Sequence, residues 1–238
     1  MRHIVDAGYA PSISEIAAAF TVSDDEVIRR LRALEEYHGV VLHPASSEIW
    51  VMHPFSNAPT NFWITSKNGS WWGNCAWCSL GVAALLDEDV SITTTLGAES
   101  KQIIVEVKEG KLLNENLYIH FPIPMAKAWD NVPFTCSTML LFDSEKAIDD
   151  WCHRHNMKRG DVQAIQNIWA FSKVWYGNHL KPNWVKWTAA EAKAIFKRFG
   201  LTHPIWDMPA TQSRFYRAVK VLALGFSIYC GTGKGCIE

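Results

Sequence analysis

The stretch WWGNCAWCSLG (71–81) sets two thiols, Cys75 and Cys78, three residues apart among three tryptophans. Thiols so placed can pack as small apolar side chains, form a disulfide, act as a redox pair or hold a soft metal. The run CAWCSLGVAALL is apolar and rich in Ala and Leu, and it predicts a helix that follows a strand. Cys75, Cys78 and Gly81 then recur in steps of three on one helix face. The partial positive charge at a helix start favours thiolate, which makes the pair a redox or soft-metal candidate. No second pair stands at zinc-finger spacing, so a closed structural site of four cysteines is not expected. Cys136 lies in FTCSTMLLF, which reads as a buried strand over 135–142. Alternation puts Cys136, Thr138, Leu140 and Phe142 on one face of that strand. If this face meets the helix start, Cys78 and Cys136 converge.

The rest of the chain must supply the scaffold. It has 238 residues, 48% of them hydrophobic, enough for one large domain or two small ones. A formal net charge of −1 argues against nucleic acid as the main partner. The opening MRHIVDAGYAPSIS lacks the apolar core of a signal peptide, and no apolar run approaches the roughly 20 residues that span a bilayer. A cytoplasmic protein without a transmembrane segment is expected. In that reducing compartment six cysteines are expected as thiols or metal ligands rather than a disulfide framework.

The periodicities predict an α+β fold with a mixed, mostly antiparallel sheet. SISE (12–15) and SDDE (23–26) are capping-box patterns that open two helices. GVVLHPASSEIWVM follows as two short strands, so residues 1–52 read as a winged-helix-like unit. Arg29, Arg30 and Arg32 would be its DNA-facing charges, but Asp24, Asp25, Glu35 and Glu36 on the same helix dilute them. After a proline-punctuated linker (53–60), Asn68-Gly69 marks a hairpin. Strands are predicted over 91–96, 102–108 and 117–123, and helices over 144–155, capped by Ser144, and over 161–180. A further helix is predicted over 188–201, with Thr188 and Glu191 as its capping box and Gly200 as its stop.

Taken together, AWCSLG (76–81), FTCSTMLLFDS (134–144), DDWCHRH (149–155) and NHL (178–180) resemble the alkylmercury lyase family in order and spacing. The resemblance covers about residues 10–182, with 53–182 as the thiol-site domain and 183–238 as a helical extension. It implies a winged-helix-like unit ahead of the catalytic domain. It also implies protonolysis of a carbon–mercury bond, with Cys78 and Cys136 as the two catalytic, mercury-holding cysteines. No cofactor is required, and a soft metal ion (Hg, Cu or Zn) held by thiolates is the inorganic ligand expected. The family's aspartate, three residues after the first cysteine, falls on Gly81, which cannot supply a proton. Cys75, one helical step before Cys78, is the substitute donor and third metal ligand expected here, and His120 is a second candidate. Strand alternation turns Asp143 away.

Other readings stay open at this stage. The three thiols could form a soft-metal binding protein without cleavage. The site could be a repurposed pocket for another small molecule, lined by Trp63, Trp71, Trp72 and Trp77. A metal-responsive regulator would use the winged helix as its reader. In the C-terminal extension, Arg214, Arg217 and Lys220 recur at helical spacing, and Cys230 and Cys236 enclose GTGKG.

Overall fold

The computed structural model describes residues 1–99 and 101–208. The expectations for residues 214–222 and for Cys230 and Cys236 lie outside the described residues.

Three helices open the chain: α1 (Arg2–Ala7), α2 (Ile13–Phe20) and α3 (Asp24–Glu36). Ser12 and Glu15 form the expected capping box, and the Ser23 side chain accepts from the Glu26 N–H. The Glu26 carboxylate turns instead to Arg29 and Arg30, so two of the three arginines are neutralised on their own helix. Arg32 donates to Ser47 at 2.8 Å.

The strands β1 (Val41–Leu42), β2 (Ile49–Met52), β3 (Phe55–Ser56), β4 (Trp63–Ser66) and β5 (Ser70–Gly73) come next. Helix α4 (Ala76–Leu86) follows, then β6 (Val90–Thr95), β7 (Gln102–Lys108) and β8 (Lys111–Leu112). These strands form one eight-stranded antiparallel sheet in the order β1-β2-β3-β5-β4-β6-β7-β8. The β1–β2 hairpin is therefore the edge of the main sheet, joined to it by Val51 opposite Ser56. Asn68-Gly69 makes the expected turn, with the Ser66 N–H donating to the Gly69 carbonyl.

The second half holds β9 (Tyr118–Phe121), α5 (Val132–Ser137), β10 (Leu141–Phe142), α6 (Glu145–His155), β11 (Asp161–Ala164), α7 (Ile165–Tyr176) and α8 (Ala189–Arg198). A three-stranded antiparallel sheet, β10-β9-β11, is built here. Two expectations are corrected. Residues 161–164 extend β9 rather than opening the helix, because Asp161–Ala164 pair in register with Phe121–Tyr118. Residues 135–137 are helical, and only Leu141–Phe142 of the expected strand pairs. Asn131 caps α5 by accepting from the Phe134 N–H, and Pro133 sits in the first turn, where its missing N–H costs nothing. Ser137 and Thr138 donate back to the carbonyls of Phe134 and Thr135, which satisfies the helix end against the local β-propensity.

Helix α4 is buried from Ala76 to Leu85, as befits a helix apolar on every side. It lies against β3, β4 and β5 and packs along α7, which in turn meets β9 and β11. The two helices thus join the two sheets through one core, and the thiols sit at its α4 end.

Candidate thiol site

Four segments meet at the start of α4. Cys75 is the N-cap of that helix, and its sulfur accepts from the Cys78 N–H at 3.3 Å. The Ala76 N–H donates to the Met139 carbonyl at 3.0 Å, which ties the helix start to the turn after α5 and so to Cys136. The Asn74 N–H donates to the Pro54 carbonyl at 3.1 Å, which brings in His53. Tyr176, the last residue of α7, presents its hydroxyl 3.7 Å from Cys78 Sγ.

The sulfurs of Cys78 and Cys136 and a ring nitrogen of His53 lie within 4.8 Å of one another, close enough to share one metal ion. His53 Nε2 is 3.8 Å from Cys136 Sγ and 3.2 Å from the Asn74 side-chain amide. Cys75, expected from the sequence as a third metal ligand, is not one of these three residues; His53 is the third, and Cys75 stands beside them as the N-cap that accepts from the Cys78 N–H. All three cysteines are free and buried. Their exposures rank them: Cys136 shows 6% of its surface, Cys78 1% and Cys75 none.

The protons are unequally placed. Burial alone would raise the Cys75 thiol, but hydrogen bonds from the Cys136 and Cys78 side chains and from the Cys78 N–H hold it well below the usual thiol value. The N-cap position adds the field of the helix start. Cys78 is pushed up by burial and by the charge on Cys75. Cys136 is raised by its hydrogen bonds to Cys75 and Cys78 and by burial. Within the cluster the thiolate form is therefore favoured most at Cys75. His53 is lowered to about 4, mainly by burial, so it is neutral at pH 7.

The other candidate donors lie elsewhere. His120 is buried with Nε2 2.6 Å from the Arg159 carbonyl, and it faces the sulfur of Cys152, not the cluster. Asp143 pairs with Lys101 at 2.8 Å. Among the described residues, no carboxylate belongs to the candidate metal group.

Gly81 lies one helical step beyond Cys78. A Cβ built there would overlap the Tyr176 ring, with Cε2 at 2.7 Å and Cγ at 3.0 Å. Tyr176 therefore fills the space that a side chain at 81 would need. Burial, then the charge of the neighbouring thiols, keeps its phenol protonated well above the ordinary tyrosine value.

The tryptophans do not form one pocket around the thiols. Trp77 stacks on Phe171 at 4.9 Å in the α4–α7 core. Trp63, Trp71 and Trp72 line a separate cavity of about 480 Å³, together with Ile4, Tyr9 and Asn57.

With this geometry in hand, the comparisons decide the family. The family model described as MerB, alkylmercury lyase, matches residues 55–177, just over half of the 238-residue chain. The chain belongs to the alkylmercury lyase family. The matched span carries β3, α4, α5 and α7, and with them Cys75, Cys78, Cys136 and Tyr176. The crystal structure of the mercury-bound form of MerB2 shares the alkylmercury lyase fold with this chain. Its TM-score is 0.58 at 21% identity, covering 75% of this chain and 84% of that one. No curated protein matches the chain in sequence. His53 falls just ahead of the matched span, and sequence reasoning passed over it as part of a linker.

The buried histidines carry a consequence for stability. His53 is lowered to about 4 and His179 to about 3, both chiefly by burial, from 6.5. Folded pKa values below the unfolded one mean that stability is fully present above about pH 6.5. It is lost as pH falls toward those values, at up to about 1.4 kcal/mol per pH unit for each histidine. Urea midpoints should drop clearly between pH 7 and pH 5, and equal midpoints would contradict the buried neutral state.

Proposed function

We propose that this protein cleaves the carbon–mercury bond of organomercurials by protonolysis, with Cys136 and Cys78 as the thiol pair. The observation that carries the reading is the convergence of those two sulfurs with His53 at the start of α4, in a member of the alkylmercury lyase family. Mercury is soft and prefers sulfur to any oxygen ligand, so a buried pair of thiols is a fitting receptor.

The substrate arrives as an organomercury–thiolate adduct. Cys136, the most exposed thiol, exchanges with it: a Cys136–mercury bond forms, and the Cys136 proton leaves with the displaced thiol. Cys78 then adds the second sulfur. The carbon–mercury bond breaks, hydrocarbon leaves with one proton, and Hg²⁺ stays between two sulfurs. External thiols exchange the metal out and restore both S–H groups. Cys75 supplies negative charge beside an incoming organomercury cation and accepts hydrogen bonds from the reacting thiols.

The experiment is release of benzene from phenylmercury under excess thiol, followed by gas chromatography. Sustained benzene formation supports the reading. The lack of a carboxylate in the group favours a second reading, a soft-metal holder that binds mercury without cleavage. That protein would bind Hg²⁺ stoichiometrically and give no benzene.

Cys75→Ser separates the two tasks of that residue. Serine is itself a good N-cap, so α4 should keep its start while the anion is lost. Capture of phenylmercury should slow about tenfold, the equivalent of ~1.4 kcal/mol, and single-turnover cleavage should survive. Stopped-flow capture and quenched benzene yield measure the two steps separately. Loss of cleavage with capture intact would instead make Cys75 the proton source.

A further inference from the structure

The inference rests on the lyase reading and names the path of its proton. We propose that Tyr176 relays the proton of Cys78 to the carbon leaving mercury. The phenol is the one hydroxyl placed on a reacting thiol among the described residues, with its oxygen 3.7 Å from Cys78 Sγ. Its position is enforced from several sides. Gly81 leaves the ring room that any side chain at that place would remove. Trp77 packs on it at 5.6 Å and His179 at 5.1 Å. The connection after α7 is closed by the Gly177 N–H to the Lys173 carbonyl and the His179 N–H to the Tyr176 carbonyl.

A hydroxyl both donates and accepts through a single oxygen, so it can take one proton and give another at the same place, which a thiolate cannot do. Direct transfer from Cys78 would require one sulfur to turn its proton to carbon while it turns a lone pair to mercury. The relay separates these demands. The Cys78 S–H bond breaks and its proton passes to the Tyr176 oxygen. The Tyr176 O–H proton passes to carbon, whose bonding pair to mercury becomes the new C–H bond. The pair left on Cys78 makes the second mercury–sulfur bond. Tyr176 ends as it began, a neutral phenol, and nothing is oxidised or reduced.

The test is Tyr176→Phe, which keeps the ring against Gly81 and removes only the hydroxyl. Phenylmercury binding, counted by native mass spectrometry, should stay at one per chain. Single-turnover benzene release should slow at least about 100-fold, the low end for a lost proton-transfer group. Cleavage in mixtures of H₂O and D₂O gives a second readout, available on wild type alone. Two protons in flight predict a rate that curves with deuterium fraction in wild type and runs straight in Tyr176→Phe. Wild-type benzene release matched by the phenylalanine variant would overturn the relay and leave the thiol-pair reading intact. A straight dependence in wild type would overturn it too. No benzene from wild type would overturn the lyase reading and the relay with it.

Discussion

Serine at position 78 or 136 is expected to lower benzene formation from phenylmercury by at least about 1000-fold, or ~4 kcal/mol of transition-state stabilisation. The hydroxyl oxygen is a hard, weak ligand for mercury, so each change removes one of two metal–sulfur bonds that form as the carbon leaves. The two variants should fail at different stages. Cys136→Ser loses the more exposed thiol, and phenylmercury should bind poorly. Cys78→Ser keeps Cys136, so phenylmercury should bind and remain uncleaved. Gas chromatography and intact-protein mass spectrometry distinguish these outcomes. Equal, small losses in both variants would mean that the pair does not do the chemistry.

Gly81→Ala should destabilise the protein by about 2 kcal/mol or more, although alanine is the better helix former. Its Cβ would overlap the Tyr176 ring, and overpacking of a tight core costs roughly 1–3 kcal/mol. Removal of the ring should invert the sign. In a Tyr176→Ala background the same Gly81→Ala change should stabilise by about 0.5–1 kcal/mol, the ordinary helix preference of alanine over glycine. Urea denaturation of the four proteins closes the cycle. An unchanged Gly81→Ala effect in the two backgrounds would show that Tyr176 does not occupy the space. Gly81→Asp should fare worse than alanine alone, because it adds a buried carboxylate without a partner to the same clash. Restoring the acid that the family resemblance places at 81 would therefore require a smaller residue at 176.

The thiol site was only partly legible in the chain. Cys75 and Cys78 announce themselves, because the apolar Ala-Leu run after a strand predicts a helix and the cysteines stand at its start. Cys136 was found by its order after them, yet its element was misread. Phe134, Thr135 and the residues after them favour a strand locally, and the Asn131 cap and Pro133 outweigh that preference. His53 gave no signal. It sits in the short connection between β2 and β3, and tertiary contacts bring it to the cluster: the Asn74 N–H to the Pro54 carbonyl and the Asn74 side chain to its own ring. Tyr176 lies 98 residues from Cys78 on an ordinary amphipathic helix. Its trace in the sequence is Gly81, since a glycine inside a buried helix implies a large neighbour at close approach. The cross-chain partner itself is a tertiary fact, fixed by α4 packing along α7.

The most direct measurement is a single turnover without external thiol. One equivalent of phenylmercury is added to the protein, benzene is counted, and the mercury left behind is examined by X-ray absorption. The account predicts one benzene per chain and Hg²⁺ held by two sulfurs at Cys78 and Cys136. Mercury retained with its phenyl group, or bound with no dependence on those cysteines, would contradict it.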